Sequence, residues 1–130
     1  MNDDAWDAVV ASLRQGGDVE EMVAAAKRLE REVTLADLPR LLVLLDDPSF
    51  VVREAAAFPL AYLVGPKSLR DLLGAELRGT REGLDNDTVD AAIAEVLALD
   101  KGGARAELTT LSRDSNPAVA LAAQGWLERL

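Results

Sequence analysis

Residues 46–63, DDPSFVVREAAAFPLAYL, decide the fold class of this chain. An acidic, proline-containing turn is followed by Val52 and Arg53 and then by an alanine-rich run. Apolar side chains recur there every three to four residues, which is the period of an α-helix. The pattern returns less completely at residues 85–99 and 114–130. Repetition of one helix–turn–helix unit predicts an α-solenoid, in which neighbouring units share a continuous core.

The second helices of three successive units can be superposed on one another. Each has Val, Ala and Leu at relative positions 0, 3 and 8, namely Val52, Ala55 and Leu60, then Val89, Ala92 and Leu97, then Val119, Ala122 and Leu127. The alternative is an ordinary all-α bundle in which the Ala-Leu periodicity is coincidental. Turn, valine and alanine recur together rather than singly, which favours the solenoid.

The apolar periodicity predicts eight helices in four antiparallel pairs. Their expected bounds are Asp4–Arg14 and Val19–Glu32, Ala36–Leu45 and Ser49–Val64, Ser68–Arg78 and Asp87–Leu99, and Ala104–Ser112 and Pro117–Leu130. Glycine pairs at 16–17 and 102–103 are expected to separate helices. Asp18 and Asn116 are the expected N-caps of the helices that follow them, and Pro59 is expected to kink its helix.

Residues 38–63, LPRLLVLLDDPSFVVREAAAFPLAYL, resemble a HEAT repeat of the short bacterial type, similar to PBS-lyase-like repeats. The matching positions are Asp47, Pro48, Val52, Arg53, Ala55, Ala56 and Leu60. Asp90 and Ala120 stand where the family prefers arginine, so the later units match less well. The resemblance implies a short HEAT-like superhelix of about four helix pairs, with residues 1–130 as a single domain. It also implies that the protein binds partners on its concave face.

Composition excludes several kinds of chemistry. The chain has neither His nor Cys, which removes Ser–His and Cys–His catalysis, disulfides and the usual zinc ligands. No apolar run approaches the ~20 residues that a membrane span needs, and the first residues are acidic where a signal peptide would be basic. We therefore expect a cytoplasmic protein that is not an enzyme and has no cofactor.

Net charge predicts the sign of a binding partner. The chain carries 23 acidic and 14 basic residues, which gives a net charge of −9. Residues 1–47 hold 11 of the acids and 5 of the bases, and therefore contribute −6. This field repels phosphate backbones and attracts basic surfaces. A simpler interpretation is that the acids keep a small domain soluble.

Three acids lie close together at Asp85, Asp87 and Asp90. A calcium loop of the EF-hand type needs a central glycine and a terminal glutamate, and this segment has neither. Acidic residues are favoured at helix N-termini, so helix capping and solvation explain the cluster better than a metal does. We predict no metal site.

A candidate partner-binding face follows from the second helices. Phe58 and Tyr62 are four residues apart and share one helix face, and Glu54 continues that line. Packing of Phe58 between repeats is the alternative to a binding role. Shifting the line by 37 residues reaches α-helical positions around Glu95 in the next unit. The predicted partner-binding residues are Glu54, Phe58, Tyr62, Asp87, Asp90, Glu95 and, as the equivalent in the first unit, Arg28.

These features predict a protein-interaction module that binds a basic partner through an acidic concave groove. A concrete version is an immunity protein that neutralises a basic bacterial toxin, such as a nuclease or deaminase. The alternative is a HEAT-like adaptor, chaperone or lyase-type subunit of a larger assembly. The last helix, with Trp126 and Leu130, lacks a strongly polar outer face, so we expect either a monomer or a homodimer formed through that end.

Overall fold

The structure of the chain is a computed structural model that describes residues 1–15 and 17–130. Within those residues the chain forms eight α-helices and no strand, so the predicted all-α fold class is confirmed. The helices are α1 (Asp3–Gln15), α2 (Val19–Glu32), α3 (Leu38–Leu45), α4 (Phe50–Val64), α5 (Leu69–Arg81), α6 (Asp87–Leu99), α7 (Lys101–Leu111) and α8 (Pro117–Leu127). Short 3-10 helices at Leu35–Asp37 and Gly65–Ser68 lead into α3 and α5.

The chain divides into two compact units, residues 1–63 and residues 64–130. The first unit contains α1 to α3 and nearly all of α4, and the second contains α5 to α8. That residues 1–130 form a single domain, and that the helix pairs form a HEAT-like stack, both stay predictions.

In the first unit, α1 packs against α2. The buried positions recur at helical spacing in each element and are Trp6, Val9 and Leu13, then Ala25 and Leu29, then Leu41, Leu44 and Leu45, then Val52, Ala56 and Leu60. Full burial of each leucine stabilises the fold by about 1.5–3 kcal/mol relative to leaving it exposed. Helix α2 buries only Ala25 and Leu29, and its Val23 is 46% exposed.

In the second unit, α5 contacts α6, α7 and α8. Leu69, Leu72 and Leu73 of α5 have no exposed surface, as expected for a helix with neighbours on several sides. The remaining buried core residues include Val89, Ala92, Ile93 and Val96 of α6, Leu108 and Leu111 of α7, and Val119, Ala123 and Trp126 of α8. Any side chain that α5 places at this register therefore enters the core of the unit.

Several predicted helix ends were wrong by a few residues. α3 begins at Leu38 rather than Ala36, because the 3-10 turn before it is closed by the Asp37 carboxylate, which accepts from the Thr34 backbone N–H at 2.9 Å. α5 continues to Arg81 rather than ending at Arg78, since Gly79 lies inside the helix. α8 ends at Leu127 rather than Leu130.

The glycine pair at 102–103 does not separate helices, which corrects the prediction. α7 begins at Lys101, and the Asp100 side chain caps it by accepting from Gly103 N–H at 2.9 Å. The first-turn N–H groups of a helix have no intrahelical acceptor, so a side-chain cap can start a helix even across glycines. The predicted caps Asp18 and Asn116 are confirmed. Of the other glycine pair, Gly16 lies outside the described residues.

Helix α4 runs from Phe50 to Val64 without interruption across Pro59. Its buried face differs from the predicted one. Ala55 and Leu63 are half-buried, whereas Arg53 is only 2% exposed. The turn that precedes α4 explains why a fully buried cation lies in the apolar face of this helix.

Candidate protein-binding surfaces

The guanidinium of Arg53 closes the turn between α3 and α4. Its Nη1 donates to the backbone carbonyl of Asp47 at 2.9 Å and to that of Pro48 at 3.3 Å. The Asp47 carboxylate accepts from Ser49 N–H at 2.9 Å and is paired with Arg14 of α1. Burial alone would raise the pKa of Asp47, but these donors lower it below its usual value. The Asp-Pro…Val-Arg motif therefore stabilises the fold and is not available to a partner.

A second buried carboxylate, Asp37, precedes α3. Burial would raise its pKa, but hydrogen bonds from Thr34 N–H, Arg40 and the Met1 ammonium outweigh that effect and lower the pKa of Asp37 to about 2. The Arg40 Nη2 to Asp37 Oδ1 distance is 2.6 Å, and the Arg40 guanidinium stacks 4.1 Å from the ring centroid of Trp6. Arg40 is thus another cation that a carboxylate of the same unit binds.

The charges of the first unit are consequently unbalanced at its surface. Carboxylates or backbone carbonyls bind five of its basic side chains, those of Arg14, Arg28, Arg31, Arg40 and Arg53. Four exposed acids of α1 and α2 have a carboxylate that neither forms an ion pair nor accepts a hydrogen bond from any described residue, and these are Asp4, Asp7, Glu20 and Glu30. We call these four residues the α1–α2 acidic surface.

A groove of about 400 Å³ lies between α1 and α3 next to this surface. Its lining is Trp6, Asp7, Val10, Ala11, Arg14, Arg40, Val43 and Leu44. Val43 is 67% exposed, and Asp7 stands at the groove without a cation partner among the described residues. The combination of an exposed apolar side chain and a free carboxylate suits a partner segment with an apolar residue next to a lysine or arginine.

The predicted partner-binding residues Phe58 and Tyr62 form a pair of rings on α4. The centroids of Phe58 and Tyr62 are 6.0 Å apart at an interplanar angle of 32°. Phe58 is half-buried and Tyr62 is 50% exposed. Tyr62 lines a shallow depression of about 480 Å³ together with Lys27, Glu30 and Arg31. The surroundings of Tyr62 are therefore of mixed charge rather than acidic.

The other predicted residues of the first unit are less available. Arg28 donates from Nε to Glu32 Oε2 at 2.7 Å, one turn further along α2. The Arg28 and Arg31 guanidiniums lower the pKa of Glu32, the hydrogen bond from Arg28 having the largest effect. Glu54 is half-buried. Of the predicted residues in this unit, Tyr62 is thus the one with a largely exposed side chain.

The predicted residues of the second unit all lie on α6. Asp87 is exposed, and the hydrogen bond and charge of Asp85 raise its pKa. Asp90 and Glu95 are half-buried. The structure brings Asp87 close enough to Asp90 for their charges to interact. That the residues of α6 join Phe58 and Tyr62 in one groove stays a prediction, because the two sets belong to different units.

A carboxyl pair that was not predicted from the sequence lies between α5 and α6. Glu76 of α5 is half-buried and hydrogen-bonded to Asp90, and Trp126 Nε1 donates to Glu76 Oε1 at 3.4 Å. Burial, followed by the hydrogen bond and charge of Asp90, raises the pKa of Glu76 to about 7. The sequence does carry a signal, since Glu76 is three residues after Leu73 and four after Leu72, in the register of the core stripe.

The same region borders an open groove of about 670 Å³, the α6–α8 groove. It is lined by Asp90, Ala91, Ala94, Leu97, Ala98, Lys101, Trp126, Arg129 and Leu130. The exposed alanines of α6 leave room for another apolar surface to approach closely. Leu99 and Leu121, elsewhere in this unit, are 64% and 71% exposed.

Comparisons with protein-family models, curated proteins and solved structures found no match to this chain. The HEAT-repeat interpretation therefore rests on the motif residues quoted above. Among the described residues, no cluster of three or more carboxylates has the geometry to hold a metal ion. None of the described helices is both long enough and apolar enough to cross a bilayer.

Proposed function

We propose that this chain is a non-enzymatic protein-interaction module of the HEAT-like solenoid type that binds a basic partner protein. One observation carries the proposal. Five of the six basic side chains of the first unit are bound by its own carboxylates and carbonyls, whereas the α1–α2 acidic surface, Asp4, Asp7, Glu20 and Glu30, forms no ion pair with any described residue. A basic partner would supply that charge.

Charged and apolar contacts are expected to contribute differently to binding, because their free energies differ in size. An exposed ion pair contributes about 0–1 kcal/mol, so four carboxylates alone do not make a tight complex. They accelerate encounter with a basic surface. Affinity would come from apolar anchors, and the first unit offers Val43 in the α1–α3 groove and the exposed ring of Tyr62.

The concrete form of the proposal is an immunity protein in the cytoplasm of a bacterium, where it neutralises a basic toxin. A small acidic protein can block a nuclease or deaminase effector by covering the cationic surface that the effector uses on nucleic acid. The net charge of −9 and the lack of His and Cys fit such an inhibitor, which needs no catalytic group of its own.

The test is the association rate with a basic protein encoded beside this chain, measured by surface plasmon resonance at about 50 and about 300 mM salt. Asp4→Asn/Asp7→Asn is expected to slow association several-fold at low salt with little change in dissociation. The matched control, Asp71→Asn/Glu128→Gln, removes the same charge from exposed positions in the second unit. Equal slowing by both pairs would reduce the effect to net charge, and a salt-independent complex would contradict the proposal.

The second candidate function is an adaptor or chaperone-type subunit of a larger assembly, or a lyase-type subunit. The exposed leucines Leu99 and Leu121 favour it, because a partner subunit would bury large apolar side chains that are now in water. Sedimentation of the native chain and of Leu121→Ser separates the two functions. A native oligomer that the substitution dissociates supports the adaptor, and a monomer supports the inhibitor.

A further inference from the structure

One oxygen atom between α5 and α6 lacks a hydrogen-bond donor unless a proton is added. Oδ1 of Asp90 is fully buried and accepts no hydrogen bond from the N–H and O–H groups of the described residues. The Glu76 carboxyl is within hydrogen-bonding range of Asp90. Two ionised carboxylates can only accept, so this contact is a hydrogen bond only when one of the two carries a proton. A proton shared by the two carboxyls would supply the missing donor.

The end of α8 covers this pair. The Trp126 indole donates from Nε1 to Glu76 Oε1 at 3.4 Å, and Trp126 is 6% exposed. The Arg129 guanidinium stacks 4.1 Å from the ring centroid of Trp126, and its positive charge favours ionised Glu76. Ionisation of Glu76 therefore strengthens its hydrogen bond with the Trp126 indole, which makes the indole a reporter of the charge on Glu76.

The other elements packed against α5 contribute the following charges. From α6, Asp90 is the direct partner and Asp87 adds a negative charge close to it. From α7, Lys101 lines the α6–α8 groove together with Asp90. From the 3-10 helix before α5, the Lys67 ammonium is held by Glu107 at 2.9 Å. The unfavourable neighbour of an ionised Glu76 is thus the carboxylate of Asp90.

We propose that Glu76 and Asp90 form a proton-operated latch that holds α6 against α5 while one proton is shared by the two carboxyls and loosens that contact when the proton leaves, with Trp126 of α8 remaining on Glu76. Loss of the proton places two negative charges at hydrogen-bonding distance in a half-buried site and leaves only repulsion between them. Trp126 and Asp90 both line the α6–α8 groove, so loosening changes the shape of that groove. The latch stands independently of the proposed basic partner.

The operating range follows from the environment of Glu76. Burial and Asp90 raise the pKa of Glu76 to about 7, so the proton is lost around neutral pH rather than near the usual value of a glutamate, 4.5. The closed form binds the proton more tightly than the open form. Opening is therefore favoured as the pH rises from about 4.5 to about 7, with at most one proton released per event.

The experiment is a pH titration of the full chain from about 5 to about 9, followed by NMR of the two tryptophan indole N–H groups and of the Glu side-chain carboxyl carbons. Trp126→Phe assigns the Trp126 indole signal, and Trp6 serves as the internal reference. We expect the Trp126 signal and one Glu carboxyl carbon to titrate together with a midpoint near 7. Hydrogen exchange in α6, corrected for its intrinsic rate, should rise about tenfold over the same range.

The variants distinguish the latch from general pH effects. Glu76→Gln is expected to abolish the Trp126 transition, because its amide still donates to Asp90 at every pH. Glu128→Gln, an exposed position next to Arg129, should leave the transition in place. A Trp126 signal that does not change with pH, or a transition that persists in Glu76→Gln, overturns the proposal. If Glu76→Gln does not fold, the carboxyl titration of the native chain decides: a midpoint near 4.5 for every glutamate overturns the latch.

Discussion

Arg53 Nη1 lies 2.9 Å from the backbone carbonyl oxygen of Asp47 and ties the first turn of α4 to the end of α3. The side chain is 2% exposed, so this cation is removed from water and depends on the carbonyls and carboxylate of the turn. Asp47 and Arg53, two of the positions that resemble a HEAT repeat, thus stabilise the turn between α3 and α4. A buried arginine of this kind is sensitive to any change of shape or charge.

Replacement of Arg53 by methionine is therefore expected to destabilise the fold by about 2–3 kcal/mol, because the carbonyls of Asp47 and Pro48 lose their buried donor. Arg53→Lys should recover only part of the loss, since an ammonium does not reproduce the planar fork. Chemical denaturation followed by circular dichroism measures both. Arg113→Met, at an exposed position, is the control and should change stability by less than about 0.5 kcal/mol. Similar losses for Arg53→Met and Arg113→Met would contradict the buried anchor.

The low pKa of Asp37 leads us to expect a loss of stability in acid. Its folded pKa, about 2, lies below the ordinary value of 3.8, so its stabilising contribution is complete above about 3.8 and is lost as the pH falls through about 2. Asp37→Asn should cost about 2 kcal/mol at neutral pH. The difference between native and variant should shrink as the pH is lowered through that window.

Denaturation midpoints of native and Asp37→Asn chains from pH 2 to pH 7 provide the measurement. Asp4→Asn is the control, because Asp4 is exposed and has no ion-pair partner among the described residues. A native-minus-variant difference that stays constant from neutral pH to about pH 2 would show that Asp37 does not act through its charge.

The sequence alone was sufficient for the elements with local determinants. The period of the apolar residues located all eight helices, and the bounds of α2 and α6 agree with the structure to the residue. Asp18 and Asn116 cap their helices as predicted, because a cap needs only a side chain and an N–H two or three residues away. Helices and caps set by such local interactions can therefore be predicted without knowledge of tertiary contacts.

Features that depend on distant residues were missed. The Arg53 position was recognised as part of a motif, yet its burial depends on how α3 approaches α4. Glu76 becomes notable only when folding brings Asp90 of α6 and Trp126 of α8 to it. Gly102 and Gly103 were misassigned because two glycines favour a break, while the cap from Asp100 decides otherwise. The partners of Glu76 lie on other helices, where the local pattern does not reveal them, whereas the Asp100 cap is a local interaction that was overlooked.

Substitutions of two glycines of α5 by alanine are expected to have opposite effects on stability. A methyl group on Gly74 would meet nothing within 4 Å, so Gly74→Ala should stabilise the chain by about 0.5–1 kcal/mol through helix propensity. A methyl group on Gly79 would overlap the Asn86 side chain. That side chain donates to the Glu76 carbonyl at 3.1 Å and to Thr80 Oγ1 at 3.0 Å, and both bonds would be disturbed.

We therefore expect Gly79→Ala to be destabilising by about 1 kcal/mol despite the gain in propensity. Thermal unfolding of the two variants under one set of conditions gives the comparison, and each serves as the control of the other. Equal stabilisation by both substitutions would show that Asn86 can move away without cost.

The carboxyl pair makes the last prediction, on stability at neutral and alkaline pH. The folded pKa of Glu76, about 7, lies above the ordinary 4.5, so the unfolded chain releases this proton first and stability falls as the pH rises between those values. Glu76→Gln cannot ionise, and at pH 8 it should be more stable than the native chain by about 1–2 kcal/mol, after allowance for the partial exposure of the site. Near pH 4 the two chains should be nearly equal. Glu128→Gln removes the same charge at an exposed position and should show no such growing difference between pH 4 and pH 8. Denaturant unfolding at intervals across this range distinguishes a specific buried pair from the general repulsion of an acidic protein, because only the former makes the two glutamate substitutions diverge.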